Sequence, residues 1–157
     1  MTTLRLRSAA ILLCAGLALV GCAKNPAVNA ALPGAGVAAP GTPAEFTQVV
    51  GDRVLFETDS SQLTAAGRAT LDAQARWLQQ YGRYSVRIEG HADERGTREY
   101  NIALGARRAE AVRNYLAARG VNMANASTIS FGKERPVAVC NDISCWSQNR
   151  RAVTALQ

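Results

Sequence analysis

The sequence offers few of the residues on which enzymatic chemistry usually depends. It contains one histidine, His91, and no acidic cluster with the spacing of metal ligands. No serine or cysteine lies in a nucleophile-elbow pattern, and no glycine-rich loop ends in Lys-Ser or Lys-Thr. We therefore predict a protein that is not an enzyme and has no cofactor and no metal site.

Cysteine is also scarce, and only Cys140 and Cys145 lie in the C-terminal part of the chain. Their spacing, CNDISC, differs from the C-x-x-C of zinc sites and redox motifs. In an exported protein such a pair favours a structural disulfide over two free thiols. Because the loop is short, we expect this disulfide to stabilise the fold by about 2–3 kcal/mol at most.

Positive charge is in modest surplus. The formal charge of +6 suggests a nucleic-acid partner, but removal of an N-terminal segment containing Arg5 and Arg7 would lower it to +4. No run of basic residues is interleaved with aromatic residues. We therefore predict no nucleic-acid partner.

Residues 1–21 have the pattern of an export signal. Two arginines precede an apolar run over 9–20, which is too short to cross a bilayer comfortably. The run ends Leu19-Val20-Gly21-Cys22, which resembles the bacterial lipobox. That resemblance implies cleavage before Cys22 and a lipid anchor on its side chain and amine; the alternative is an ordinary signal peptide with an incidental cysteine. The residue after Cys22 is alanine rather than aspartate, which in lipoproteins points to the periplasmic face of the outer membrane.

A linker is predicted over residues 22–45. Of the 22 residues from 23 to 44, eight are alanine, four are proline and three are glycine. This composition cannot build a core and is typical of a tether. The segment would then hold a domain away from its anchor, or would be a disordered leader without a spacing role.

One domain is predicted over residues 46–157. Strands are expected at 54–56, 84–90, 127–131 and 151–156, and helices at about 64–81 and 97–119, with a short helix or loop at 140–149. The order β-α-β-α-β-(α)-β indicates an α/β two-layer sandwich, with helices packed on a mixed sheet.

Several polar residues of this domain are predicted to converge. Asp59 follows the first strand and Asp93 follows the second, so both leave the sheet at one edge if these strands are neighbours. Asn101 and Arg108 lie on the apolar side of the long helix, where an arginine must be paired, reach solvent or bind a ligand. Two carboxylates beside a guanidinium suit a zwitterion, whereas an ordinary buried Asp93–Arg108 ion pair would need no ligand.

At these residues the chain resembles a known family. The runs GHADERGTREYNIALGARRAEAV (90–112), GKERP (132–136) and SQNRRAV (147–153) are similar to the OmpA-like peptidoglycan-binding domain. The match covers about residues 54–153, and the lipobox and linker resemble the layout of the family's lipid-anchored members in the Tol–Pal system. In that family the positions of Asp93 and Arg108 bind the zwitterionic centre of diaminopimelate in the peptidoglycan stem peptide. The resemblance assigns Asp59, Asn101 and Leu104 to the same pocket.

The resemblance implies a binding protein that holds the outer membrane to the cell wall without covalent bonds. It also implies TolB as a partner that competes with the wall for the same face. Two alternatives belong to other classes: a periplasmic hydrolase that acts on the wall, and a purely structural lipoprotein without a ligand. The cysteine pair at 140 and 145 departs from what we expect throughout the family, which puts the local geometry before Trp146 in doubt.

Overall fold

The computed structural model describes residues 38–157. The predicted signal segment, Cys22 and most of the predicted linker therefore lie outside the described residues. Within the described part, the elements in chain order are α1 (Pro43–Glu45), a π-helical turn (Phe46–Gly51), β1 (Arg53–Leu55), α2 (Ala65–Gln80), β2 (Val86–His91), α3 (Arg98–Ala118), β3 (Ser127–Gly132), α4 (Ile143–Asn149) and β4 (Arg151–Leu156).

A helical segment that the sequence patterns did not predict precedes β1. The side chain of Thr42 accepts a hydrogen bond from the backbone N–H of Glu45, and Pro43 begins the first turn, where its missing N–H costs nothing. The Glu45 carboxylate accepts bonds of 2.7 Å from the Gly41 N–H and from Trp77 Nε1 on α2. The last residues of the predicted linker, 41–45, thus contact the folded domain.

The four strands form one mixed sheet in the order β1-β4-β2-β3. Strand β2 runs parallel to β3 and antiparallel to β4, and β4 also pairs antiparallel with β1. The predicted α/β sandwich with a mixed sheet is confirmed. The supposition that the first two strands are neighbours is wrong, because β4 lies between them. Strands β1 and β2 nevertheless run in the same direction, since both are antiparallel to β4, and both end at the same edge of the sheet.

The core lies between the sheet and helices α2 and α3. Val86 and Ile88 alternate inward from β2, and Leu71 of α2 with Val112 and Leu116 of α3 pack in the same buried cluster. Each such side chain stabilises the fold by about 1.5–3 kcal/mol relative to full exposure. Where α3 crosses β2, both elements have a glycine, Gly90 and Gly105. Because neither has a side chain, the helix approaches the strand closely. This close approach brings the next turn of α3 to the end of β2.

No helix in the described range, 38–157, is both long and apolar enough to cross a membrane.

Candidate functional site

All five residues predicted to form a ligand site line one cavity. Its volume is about 220 Å³, and Thr58, Arg95, Gly96 and Tyr100 complete the lining around Asp59, Asp93, Asn101, Leu104 and Arg108. The aspartates come from the loops after β1 and β2, which end at the same edge of the sheet. The other three come from one face of α3, because residues three and four apart on a helix are neighbours.

Arg108 is fully buried, with 0% of its surface exposed. Its Nε donates to the carbonyl oxygen of Ser60 at 2.8 Å, Nη1 donates to that of His91 at 2.8 Å, and Nη2 donates to that of Glu57 at 3.1 Å. The guanidinium carries five N–H groups, so three backbone acceptors leave two donors for other partners. These bonds tie α3 to the loops that follow both strands, which fixes the guanidinium at the floor of the cavity.

No carboxylate in the described part of the chain forms an ion pair with Arg108. The structure does not show the ordinary Asp93–Arg108 ion pair that the sequence left open as an alternative: hydrogen bonds to backbone carbonyls hold this arginine instead. Burial first, and then the charge of Arg150, lower the pKa of Arg108 to about 10, against the opposing effect of Asp93 and Asp59. The residue is still cationic at neutral pH. It is thus a buried positive charge at a cavity, without a carboxylate at ion-pair distance.

The partners of Asp93 are two other arginines. Oδ2 accepts from Arg95 Nη2 at 2.7 Å and from Arg150 Nη1 at 3.3 Å, and Oδ1 accepts from the backbone N–H and Nε of Arg95 at 3.2 and 3.1 Å. Burial raises the pKa of Asp93, but the hydrogen bonds from Arg95 and Arg150 outweigh it, so the net pKa is lowered. The carboxylate is therefore ionised at neutral pH and fixed in position.

Arg95 and Arg150 are the charged residues at the site that sequence reasoning missed, besides the uncharged lining residues Thr58, Gly96 and Tyr100. Arg150 is 5% exposed and also donates from Nε to the carbonyl oxygen of Phe56 at 3.0 Å, so it braces Asp93 from behind the cavity. Its signal was present in the SQNRRAV run, since an arginine that precedes a half-buried strand needs a partner. Arg95 gave no such signal, because an arginine in a polar loop is ordinarily solvated.

The loop that carries Arg95 contacts helix α4. The guanidinium of Arg95 lies over the ring of Trp146, with Cζ 4.2 Å from the ring centroid, and Trp146 Nε1 donates to the Glu94 carboxylate. A disulfide in the structure joins Cys140 to Cys145, the residue before Trp146. The segment whose geometry the sequence left uncertain therefore forms one wall beside the site.

Asp59, on the loop after β1, lines the same cavity and accepts a hydrogen bond from the Tyr100 hydroxyl. This bond raises the pKa of Tyr100. Asp59 has φ of 54°, in the left-handed region that non-glycine residues rarely adopt. Such backbone geometry is found disproportionately where a side chain is held for binding.

Asn101 and Leu104 contribute in different ways. Asn101 is 2% exposed, and its Nδ2 donates to the carbonyl oxygen of Arg95 at 2.8 Å, which fixes the loop over the helix. Leu104 is 5% exposed and supplies an apolar wall. His91 is 2% exposed, packs against the ring of Phe131 and lies outside the cavity lining, so its contribution to the site is its backbone carbonyl.

Residues 38–157 contain no group of three or more His, Cys, Asp or Glu side chains placed to hold a metal ion.

The fold and cavity define an OmpA-like domain, and sequence comparison gives the same result. A sequence model of the OmpA family matches residues 55–150, which is more than half of the chain. The chain therefore belongs to the OmpA family.

Within the family, the chain is similar to peptidoglycan-associated lipoproteins. The protein of that name from Mesorhizobium japonicum is 59% identical over 150 residues, which are 93% of this chain and 89% of that protein. The one from Rhizobium meliloti is 61% identical over 145 residues, 89% of this chain and 82% of that protein. The crystal structure of the peptidoglycan-associated lipoprotein from Burkholderia pseudomallei superposes with a TM-score of 0.69 at 40% identity, over 74% of this chain and all of that one. The resemblance predicted from the motifs is confirmed.

Proposed function

We propose that this chain is an outer-membrane lipoprotein that binds peptidoglycan non-covalently through diaminopimelate in the stem peptide. In this proposal residues 1–21 are the signal peptide, Cys22 carries the lipid, and residues 22–45 link the anchor to the binding domain at 46–157. The protein thereby tethers the outer membrane to the cell wall from the periplasmic face. Relatives at 59–61% identity are named peptidoglycan-associated lipoproteins, which supports this assignment.

The observation that carries the proposal is the buried cation of Arg108 at the floor of the cavity. It has two N–H groups left for a ligand, no carboxylate partner among residues 38–157, and two aspartates across the same cavity. A ligand carboxylate would neutralise this buried charge, and a ligand ammonium would face Asp93 and Asp59. The side-chain terminus of diaminopimelate presents both groups on one carbon.

Two further parts of the proposal rest on the family. We propose that the protein acts in the Tol–Pal system, which serves envelope integrity and cell division, and that TolB binds over the same face and so competes with the wall. Residues 22–40, the part of the linker before the residues that contact the domain, would reach roughly 22–26 Å as a random coil and about 60 Å as an extended polyproline helix.

A paired titration tests the ligand assignment. The detergent-solubilised full chain is titrated with a muropeptide containing diaminopimelate and with one in which lysine replaces it. We expect the lysine form to bind at least about tenfold more weakly, because it lacks the carboxylate for Arg108 and a charge-assisted bond contributes about 1.5–3 kcal/mol. Equal binding of the two would reject diaminopimelate as the recognised group.

Sedimentation with purified sacculi and an assay of released muropeptides separate the alternatives. A tethering protein co-sediments with the wall and releases nothing. A wall hydrolase would release soluble fragments, and a purely structural lipoprotein would stay in the supernatant.

The anchor is tested by Cys22→Ser. We expect this variant to lack lipid and to leave the outer-membrane fraction once the wall has been digested. A Cys22→Ser protein that remains in that fraction would contradict the lipobox assignment.

A further inference from the structure

Arg95 occupies the face of Asp93 that a ligand ammonium would need. Three of the four short contacts on the Asp93 carboxylate come from Arg95, at 2.7, 3.1 and 3.2 Å, and the fourth comes from Arg150. The Asp93 side chain is only 9% exposed, so little of its surface is left for a second cation. A ligand that binds Asp93 through an ammonium must therefore displace the Arg95 guanidinium.

The two arginines on Asp93 differ in how firmly they are held. Arg150 has a side chain 6% exposed and a second bond to the Phe56 carbonyl oxygen, so it is part of the core. The Arg95 side chain is 41% exposed, and its contacts within residues 38–157 are the Asp93 carboxylate and the ring of Trp146, with the charge of Glu94 nearby. Because the Arg95 side chain is partly exposed, water can solvate its guanidinium once it leaves Asp93, so displacement of Arg95 costs less than displacement of the buried Arg150.

The charges around the cavity limit which ligands can displace the Arg95 guanidinium from Asp93. Arg95, Arg108 and Arg150 surround or contact the site, against Asp59 and Asp93, so the arginines exceed the aspartates by one. A ligand with only an ammonium group would take the place of Arg95 on Asp93. The Arg95 guanidinium would then be a further unpaired cation near the cavity. A ligand that brings an ammonium and a carboxylate would satisfy Asp93 and compensate the released guanidinium.

We propose that Arg95 is a specificity-determining residue of this site, whose guanidinium fills the cation position on Asp93 and yields it only to a ligand that also supplies a carboxylate. This inference rests on the proposed function, since it concerns how the same cavity selects diaminopimelate over lysine. Arg95 weakens the binding of every cationic ligand, and it weakens most the binding of ligands that lack an acid group.

Trp146 gives the displaced guanidinium a place beside the cavity. Its ring already lies 4.2 Å from Arg95 Cζ, and its Nε1 is tied to Glu94 in the same loop. A cation stacked on an aromatic face is still attracted by the ring when its carboxylate partner is lost. Arg95 can therefore leave Asp93 without leaving the rim of the cavity, where its charge still acts on the ligand.

The test compares Arg95→Ala with a matched control, Arg98→Ala, in the full chain. Arg98 is also an exposed arginine of this region, but it pairs with Glu134 and does not line the cavity. Each protein is titrated with the diaminopimelate and lysine muropeptides. We expect Arg95→Ala to bind the lysine form at least threefold more tightly than wild type and to narrow the preference for diaminopimelate, while Arg98→Ala matches wild type. Weaker binding of both ligands, or an unchanged preference, would overturn the proposal.

Ethylguanidinium provides a readout that needs no muropeptide. At low millimolar concentration we expect it to bind Arg95→Ala, but neither wild type nor the Arg95→Ala/Asp93→Asn double variant. Binding is measured by chemical-shift changes in the loop that carries Asp93. It should also restore wild-type selectivity to Arg95→Ala. If wild type binds no muropeptide, the proposed function is wrong, but ethylguanidinium binding still tests whether a guanidinium at Asp93 can be replaced. Absence of ethylguanidinium binding to Arg95→Ala would refute that exchange.

Discussion

Gly90 of β2 and Gly105 of α3 are in direct backbone contact. A β-carbon built on Gly90 would stand 1.8 Å from the carbonyl oxygen of Gly105, and one built on Gly105 would stand 2.9 Å from that of Gly90. No side chain fits between the strand and the helix at this crossing. Because Arg108 follows Gly105 by three residues, the same contact places its guanidinium within 2.8 Å of the His91 carbonyl oxygen.

We predict that Gly90→Ala strongly destabilises the protein. The added methyl group meets backbone rather than a movable side chain, so α3 must shift, at a cost of at least about 2–3 kcal/mol. Urea unfolding measures this, and Gly82→Ala is the control, because a β-carbon there meets nothing within 4 Å. Equal stability of the two variants would show that the crossing tolerates side chains.

The fold was largely predictable from the sequence because its signals are local. Val86 and Ile88 alternate at the strand period in the sequence, and both are buried in the core. Thr64 and Thr97 cap α2 and α3 at the expected positions. Strand order could not be read in this way, since placing β4 between β1 and β2 depends on long-range pairing that leaves no periodic pattern.

The membership of the site was predictable, but its pairing was not. Helical spacing selected Asn101 and Arg108, and the family resemblance added Leu104; all three line the cavity with Asp59 and Asp93. Which cation meets which anion depends on distances below 4 Å between segments far apart in sequence. The sequence indicated that Arg150 needs a partner, but that the partner is Asp93, 57 residues away, follows only from the fold.

Acid should destabilise the fold through His91. Burial, followed by the charges of Arg151, Arg135 and Arg53, lowers its pKa to about 4 from 6.5, even though Glu89 Oε2 lies 3.9 Å from Nε2. Between these values the unfolded chain takes up a proton that the folded chain does not, so stability falls as pH decreases from about 6.5 to about 4. The loss approaches about 3 kcal/mol and then levels off.

His91→Phe is the matched variant for this pH dependence. Neither ring nitrogen of His91 has a hydrogen-bond partner among the described residues, and the ring packs on Phe131, so an aromatic ring without nitrogens keeps the packing. We expect its unfolding free energy to change less than that of wild type between pH 6.5 and 4. Parallel curves for the two proteins would assign the acid sensitivity to other groups, such as Asp93, whose lowered pKa acts at lower pH.

The disulfide should be present in the exported protein. We expect thiol labelling under denaturing, non-reducing conditions, mapped by peptide mass spectrometry, to leave Cys140 and Cys145 unmodified, and reduction to expose both. Replacement of both by serine should cost at most about 2–3 kcal/mol, because the loop they close is short. Quantitative labelling of both sulfurs without reduction would contradict the pairing.

The final prediction separates the two charges of the site. Arg108→Ala removes the cation proposed to receive the ligand carboxylate, and Asp93→Ala removes the anion proposed to receive the ammonium. Each should weaken binding of the diaminopimelate muropeptide by at least about tenfold, since a charge-assisted bond contributes about 1.5–3 kcal/mol. Arg108→Ala should also lower stability, because it leaves the carbonyl oxygens of Ser60, His91 and Glu57 without this donor. Thermal unfolding is therefore measured on the same samples as the titration, so that a loss of binding can be separated from a loss of folding.

A change in the ligand tests the same contact without altering the protein. Amidation of the diaminopimelate carboxylate removes its charge but keeps its shape, so wild type should bind the amide at least about tenfold more weakly. In Arg108→Ala the preference for the acid over the amide should fall well below that of wild type, because only the displaced Arg95 guanidinium is then left to distinguish them. If Arg108→Ala remains folded and prefers the acid as strongly as wild type does, then Arg108 does not read that carboxylate, and Arg95, the other arginine that lines the cavity, is the next to replace.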